Sequence, residues 1–219
     1  MTSRPRIPNA PPDKILEGIF MTEKPKGKSQ KKSRTGSVYQ LKVTLKGIRP
    51  PIWRRFQVTD DITLAKLHRI LQAIMGWEDY HLHLFEIGGV NYSVPLPGEP
   101  DPLDFDTKNE NGVKLSRLAP AEKSRFIYEY DFGDSWTHEI LVEKILSPDP
   151  EVKYPVCIKG KRSAPPEDCG GVWGYEEFVE AICDPDHPEH EEYLDWVGGD
   201  FDPEKFDLEK INRELRRTK

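Results

Sequence analysis

The sequence predicts one folded domain of the mixed α+β class, in which the strands come first and the helices last. Alternating apolar and polar residues, typical of a half-buried strand, begin at Val38. Apolar residues recur at helical spacing from Thr63 to Met75 and again near the end of the chain. Because 36% of the 219 residues are hydrophobic, the chain has enough apolar surface for one sizeable core.

The first predicted elements are a hairpin and a helix. Residues 38–45 form a strand, residues 47–51 supply the turn, and residues 52–58 form the returning strand. The helix follows from Thr63, its predicted N-cap, to Gly76, its predicted C-terminal stop.

Two further hairpins are predicted after this helix. Residues 81–87 and 90–94 form the first of them, so the order hairpin, helix, hairpin is that of a β-grasp-like unit. Residues 96–111 are rich in Pro, Gly and Asp and are predicted as a long surface loop. Residues 126–131 and 136–145 then form a further antiparallel hairpin around a tight turn.

The last part of the chain is predicted to be helical. Residues 147–168, which contain five prolines, are predicted as a loop. Apolar stripes then indicate helices over residues 175–182 and 193–196, and Asp207 is the predicted N-cap of a final helix that ends near Leu215. These C-terminal helices complete the α+β domain, which we assign to residues 38–219.

The first 37 residues differ in composition from the rest. They contain nine Lys or Arg against three acidic residues, and residues 24–34 show no apolar periodicity, which predicts a basic, disordered tail. Two interpretations are open: a solvated leader, or an arm that makes weak contact with DNA phosphates. Residues 38–219 carry a net charge of −12, so we do not expect the folded domain to wrap nucleic acid. The sequence leaves open whether the chain binds a protein partner.

Several classes of protein are excluded by composition. No apolar run approaches the roughly 20 residues that cross a bilayer, and the polar start of the chain is unlike a signal peptide. The three cysteines have neither an even count nor CxxC spacing, which favours a reducing compartment and argues against a shared zinc. We therefore expect a cytoplasmic protein without a membrane segment.

Two groups of polar residues are candidates for a divalent metal site. His81 and His83 alternate on a predicted strand, so both imidazoles project from one face. Asp131, Asp134 and His138 surround the turn of the third hairpin and could bind a metal or act as acid and base. The alternatives are histidines hydrogen-bonded to nearby groups, and Asp side chains that cap turn amides.

A third candidate is a glycine-rich segment before a predicted helix. Gly170 and Gly171 could present backbone amides to an anion, although the carboxylates of Glu167 and Asp168 would repel phosphate unless a cation intervened. The alternative is turn glycines with helix-capping acids. Together with Trp136, these four residues are the candidate ligand-binding residues. No Walker, GxSxG or HExxH motif is present, and Asp131-Phe-Gly133 lacks the other kinase motifs.

An ordered set of motifs resembles the plasmid pRiA4b ORF-3-like family over residues 38–215. The motifs are Ile52-Trp-Arg-Arg-Phe56, Thr63-Leu with Leu67-His68, Met75-Gly-Trp77, His81-Leu-His-Leu-Phe85, Tyr130-Asp-Phe-Gly-Asp-Ser-Trp-Thr-His138, Pro165-Pro-Glu-Asp-Cys-Gly-Gly171, Gly174-Tyr-Glu176 and Phe201-Asp-Pro203. The resemblance implies a protein of bacterial or archaeal plasmids and transposable elements whose biochemical role is unestablished. Some members carry a resolvase label, but nothing here resembles a serine-recombinase core.

The resemblance also implies that the three polar clusters are family hallmarks that converge in one cleft. Relatives often have a cysteine near Ala164, and its absence here argues against a structural zinc in that loop. We expect a non-enzymatic accessory module of mobile-element biology, with a ligand groove floored by the sheet. The alternative is a metal-dependent hydrolase, of the phosphodiesterase or nuclease kind, that uses the His/Asp cluster.

Overall fold

A computed structural model describes residues 36–95 and 107–218, which lie within one compact unit, Arg34–Lys219. The predicted tail therefore lies almost entirely outside the described residues, as does most of the loop predicted at residues 96–111. The strands are β1 Val38–Leu45, β2 Trp53–Thr59, β3 His83–Ile87, β4 Val90–Ser93, β5 Lys108–Asn109, β6 Arg125–Tyr130, β7 Trp136–Leu146 and β8 Val156–Lys161. The helices are α1 Leu64–Met75, α2 Leu115–Leu118, α3 Gly171–Cys183, α4 His190–Trp196 and α5 Leu208–Leu215.

The eight strands in the described part of the chain form one sheet in the order β5-β4-β3-β6-β7-β1-β2-β8. Neighbouring strands are antiparallel, apart from the parallel pair β4 and β5. The first two hairpins therefore lie on opposite sides of the third, because β3 pairs with β6 and β1 pairs with β7. This arrangement confirms the predicted mixed α+β class and the order hairpin, helix, hairpin.

Helix α1 has the predicted ends. The hydroxyl oxygen of Thr63 accepts a hydrogen bond from the backbone N–H of Lys66, and Gly76 ends the helix in the left-handed conformation at φ +84°. Leu67, Leu71 and other apolar residues of one helix face are buried in the core. Each such side chain contributes about 1.5–3 kcal/mol relative to an exposed one.

The sheet buries one face in this core. Alternate residues of the central strands, such as Leu41, Val43 and Ile140, are fully buried, whereas their sequence neighbours are more exposed. Within the described residues no helix is long and apolar enough to span a membrane.

The edge strand β8 lies in a segment that the sequence predicts as a loop. It pairs with β2 through a register shift, and the side chain of Asn212 in α5 bonds both backbone groups of Cys157. Contacts from a distant helix therefore complete this strand. The alternation expected of a strand is weak here because Lys159 and Lys161 sit on an exposed edge.

Candidate functional site

His81 lies just before β3 rather than on it, since the strand begins at His83 instead of at the predicted residue 81. The preceding backbone is held by the hydroxyl oxygen of Tyr130, which accepts hydrogen bonds from the N–H groups of Tyr80 and His81 at 3.1 and 3.4 Å. The carbonyl oxygen of Leu82 accepts from the N–H of Asp131. These contacts place the His81 imidazole over the end of β6.

Asp131 follows β6 in the left-handed conformation, at φ +56°. Its Oδ1 accepts hydrogen bonds from the backbone N–H groups of Gly133 and Asp134, so this oxygen caps the tight turn as the sequence allowed. Its Oδ2 lies 3.7 Å from Nε2 of His81. One carboxylate therefore serves the turn with one oxygen and faces the imidazole with the other.

Asp168 reaches the same imidazole from the glycine-rich segment. Its Oδ1 lies 3.1 Å from Nε2 of His81, and its side chain is 66% exposed. The segment is held against the turn because Oδ2 of Asp134 accepts from the N–H of Gly170 at 3.1 Å. Gly171 packs so closely on Asp134 that a Cβ would lie 2.6 Å from the Asp134 carbonyl oxygen. Only glycine permits this approach, which brings Asp168 to the cluster.

His81, Asp131 and Asp168 each offer one ligand atom, and the three atoms lie within 4.8 Å of one another. We call this group the open cluster. Nε2 of His81 is buried and forms no hydrogen bond with the described residues, although the Asp168 carboxylate oxygen lies 3.1 Å away. Two ligands of a tetrahedral zinc ion lie roughly 3.4 Å apart. This value is between the N···O distances of 3.1 and 3.7 Å that separate His81 from Asp168 and Asp131.

Glu167 connects the two loops that carry the open cluster. Its Oε1 accepts a hydrogen bond from the Tyr130 hydroxyl at 2.5 Å, and its Oε2 accepts from the N–H of Glu78 at 2.8 Å. Burial, followed by the hydrogen bond to Glu167, raises the pKa of Tyr130, so this hydroxyl remains a donor at neutral pH. Glu167 therefore positions the neighbouring Asp168, with both of its own oxygens engaged.

His83 belongs to a different group, which also contains His68, Asp79 and Glu110 and which we call the closed cluster. His83 Nε2 lies 2.9 Å from Oε2 of Glu110, and its ring stacks on that of His68 with centroids 3.6 Å apart and an angle of 7°. Both nitrogens of His68 are hydrogen-bonded, to the Tyr128 hydroxyl and to Asp79. Ligand atoms of His68, Asp79 and His83 lie within 4.8 Å of one another. The lone pairs of two parallel rings do not converge, however, so these imidazoles cannot share a metal ion.

His138 and Trp136 lie in the core on β7. His138 is fully buried, and burial lowers the pKa of its imidazole to about 4. Trp136 is 1% exposed and stacks near Trp77. The five predicted metal ligands therefore do not form one site. His81 and Asp131 lie together in the open cluster, whereas the Asp134 carboxylate accepts a hydrogen bond from Gly170. His83 lies in the closed cluster and His138 in the core.

Sequence reasoning placed Asp168 among the ligand-binding candidates but not among the metal ligands. The signal available was its position two residues before a glycine pair, which permits close packing of the loop on a turn. His68 and Glu110 were not selected, because a partner for a helical histidine cannot be read from spacing alone.

Comparison with known proteins identifies the family. The family model of the plasmid pRiA4b ORF-3-like protein matches residues 37–210. The chain belongs to the pRiA4b ORF-3-like family. The site described above lies wholly inside the matched region.

Two relatives of this pRiA4b ORF-3-like protein support the assignment. The uncharacterized protein y4hQ of Sinorhizobium fredii is 38% identical over 179 residues, which cover 81% of this chain and 90% of the relative. The crystal structure of MM3350, a protein of unknown function from Methanosarcina mazei Go1, has a TM-score of 0.69 and 44% identity. The match covers 79% of this chain and 96% of the MM3350 chain. These names assign no enzymatic activity.

Proposed function

We propose that this pRiA4b ORF-3-like protein is a non-enzymatic binding module that holds a divalent metal ion in the open cluster. The observation that carries the proposal is the buried Nε2 of His81, which faces two carboxylates without a hydrogen bond. A metal ion between the three ligand atoms would satisfy the imidazole lone pair and offset the repulsion between Asp131 and Asp168. One imidazole and two carboxylates suit zinc or manganese.

The surroundings of the open cluster favour binding over catalysis. A metal-dependent hydrolase needs a base near the metal-bound water. Two further acids of the same loops, Glu167 and Asp134, already accept hydrogen bonds. The family description names a plasmid open reading frame, which supports an accessory role in mobile-element biology.

The proposal is tested by titrating purified, EDTA-stripped protein with Zn²⁺ and with Mn²⁺ in a calorimeter. We expect one site of defined stoichiometry, weakened about tenfold or more by either His81→Asn or Asp168→Asn, because each variant removes one of three ligands. His187→Asn and Asp195→Asn are matched controls, since both residues lie outside the open cluster. Equal affinity in all variants would contradict the proposal.

The second candidate function is a metal-dependent phosphodiesterase. It is favoured by the exposure of Asp168, since three protein ligands with an open fourth position are typical of catalytic zinc. The zinc- and manganese-loaded protein is incubated with bis(p-nitrophenyl) phosphate. Hydrolysis that disappears in Asp131→Asn but not in Asp195→Asn would contradict the non-enzymatic proposal and support the phosphodiesterase.

A further inference from the structure

A cleft of about 570 Å³ lies beside α1, separate from the open cluster. It is bounded by the last turn of α1, residues 163–167, and residues of α4 and α5. Its volume is within the range of sites that bind small molecules. Glu167 lines it, whereas the next residue, Asp168, reaches the open cluster.

The inner wall of the cleft contains the guanidinium of Arg54, which is 3% exposed. Nε donates to the carbonyl oxygen of Ile74 at 3.0 Å, and Nη1 donates to those of Trp53 and Lys161 at 3.0 and 2.9 Å. Nη2, with two N–H groups, has no hydrogen-bond partner in the described part of the chain. Burial lowers the pKa of Arg54 to about 10, so the group remains a cation at neutral pH.

Arg54 also has no carboxylate within 4.0 Å among the residues that the structure describes. A buried guanidinium normally has an acidic partner, because a buried charge without compensation is strongly destabilising. The carbonyl of Ile74, near the negative end of α1, offsets part of this cost. The remaining donors point to an anion from outside the chain.

The cleft is also lined by two lysines and five acidic side chains. Four of its five acidic side chains are engaged: Glu167 as described, Asp202 and Asp207 with backbone N–H groups, and Glu214 with Arg217. Asp200 is the exception. The cations Lys205 and Lys210 form no ion pair within the described residues. The hydrogen bonds hold these carboxylates in place without cancelling their charge, so an anion would be attracted locally, by Arg54, Lys205 and Lys210, and not by the cleft as a whole.

Aromatic side chains supply the apolar part of the cleft. Trp196 is 45% exposed, and Phe201 and Phe206 are half-buried. The Phe206 ring also covers the Arg54 guanidinium, with 5.1 Å between the guanidinium carbon and the ring centroid. A planar ring in the cleft would find both an apolar wall and a nearby cation.

We propose that this cleft binds a small organic anion in which a carboxylate or phosphate group is joined to a planar apolar body. The anionic group would accept hydrogen bonds from Nη2 of Arg54 and would be attracted by Lys205 and Lys210. The apolar body would lie against Trp196 and its aromatic neighbours.

The test uses 2-naphthoate and 2-naphthyl phosphate as probes and neutral 2-naphthol as their uncharged counterpart. Binding to the full chain is followed by calorimetry and tryptophan fluorescence in EDTA, so that the result does not depend on the proposed metal site. We expect at least one anion to bind at one site, about tenfold or more tighter than 2-naphthol. The anion that binds more tightly shows whether the cleft prefers a carboxylate or a phosphate group.

Variants locate the site. Replacing both Lys205 and Lys210 by Gln should weaken the anion about fivefold, whereas the same change at Lys144 and Lys153 should leave it unchanged. Arg54→Lys should weaken binding of the anion further. If the Arg54→Lys protein does not fold, the variant with both Lys205 and Lys210 replaced by Gln still tests the proposal. Absence of anion binding, equal binding of 2-naphthol, or equal effects of the two double variants would overturn the proposal.

Discussion

The open and closed clusters place histidines beside carboxylates in two different ways. In the open cluster, Nε2 of His81 faces two carboxylates without a hydrogen bond, and Asp168 is exposed. In the closed cluster, His68 and His83 are buried, stacked, and hydrogen-bonded to side chains around them. The comparison shows that short distances between ligand atoms do not make a metal site, since lone pairs must also converge on an accessible point.

The largest expected effect comes from breaking the closed cluster. Glu110→Ala should lower the free energy of unfolding by about 3 kcal/mol, because Glu110 is 1% exposed and its removal leaves the buried His83 without its partner. Asp168→Asn, the counterpart in the open cluster, should change it by less than about 0.5 kcal/mol. Urea denaturation of both variants measures the difference, and equal losses would contradict the distinction between the clusters.

A smaller effect is expected from protonating His68. Burial, followed by the charge of His83, lowers the pKa of His68 to about 4, below the unfolded value near 6.5. Between these values the unfolded chain binds more protons, so stability is complete above pH 6.5 and falls as the pH falls towards 4. The contribution of His68 is about 2 kcal/mol between pH 6.5 and 4.5.

Urea unfolding at several pH values checks this prediction. The pKa of His138 is also lowered to about 4, and its effect has the same sign. The slope of the wild-type free energy of unfolding against pH therefore contains contributions from both imidazoles. His68→Gln should remove the His68 part and reduce the slope by about half. A variant with the wild-type slope would show that His68 does not remain neutral through burial.

The smallest effect concerns the approach that assembles the open cluster. Gly171→Ala adds a Cβ within 2.6 Å of the Asp134 carbonyl oxygen, whereas Gly198→Ala meets nothing within 4 Å. Both residues have positive φ, so both variants carry the same backbone strain of about 1 kcal/mol. Gly171→Ala should cost about 1 kcal/mol more and should also weaken zinc binding, which Gly198→Ala should leave unchanged.

Local features of the fold were predictable because they depend on neighbours in sequence. Helix α1 has its predicted caps at Thr63 and Gly76, and the first three hairpins lie near their predicted positions. Strand β8 was missed, because its stability depends on pairing with β2 and on Asn212 of a distant helix. The spacing of apolar residues in the sequence does not reveal contacts between such distant segments.

For the candidate site, the sequence by itself determined the available chemistry: imidazoles around the start of β3, acids at the β6–β7 turn, and an acidic, glycine-rich segment. Only the tertiary structure decided their partners. His81 and His83 are two residues apart, yet the strand begins between them, so one imidazole meets Asp131 and Asp168 and the other stacks on His68. The reason is physical: the direction of a side chain depends on which backbone groups are already paired, and those pairs join segments far apart in the chain.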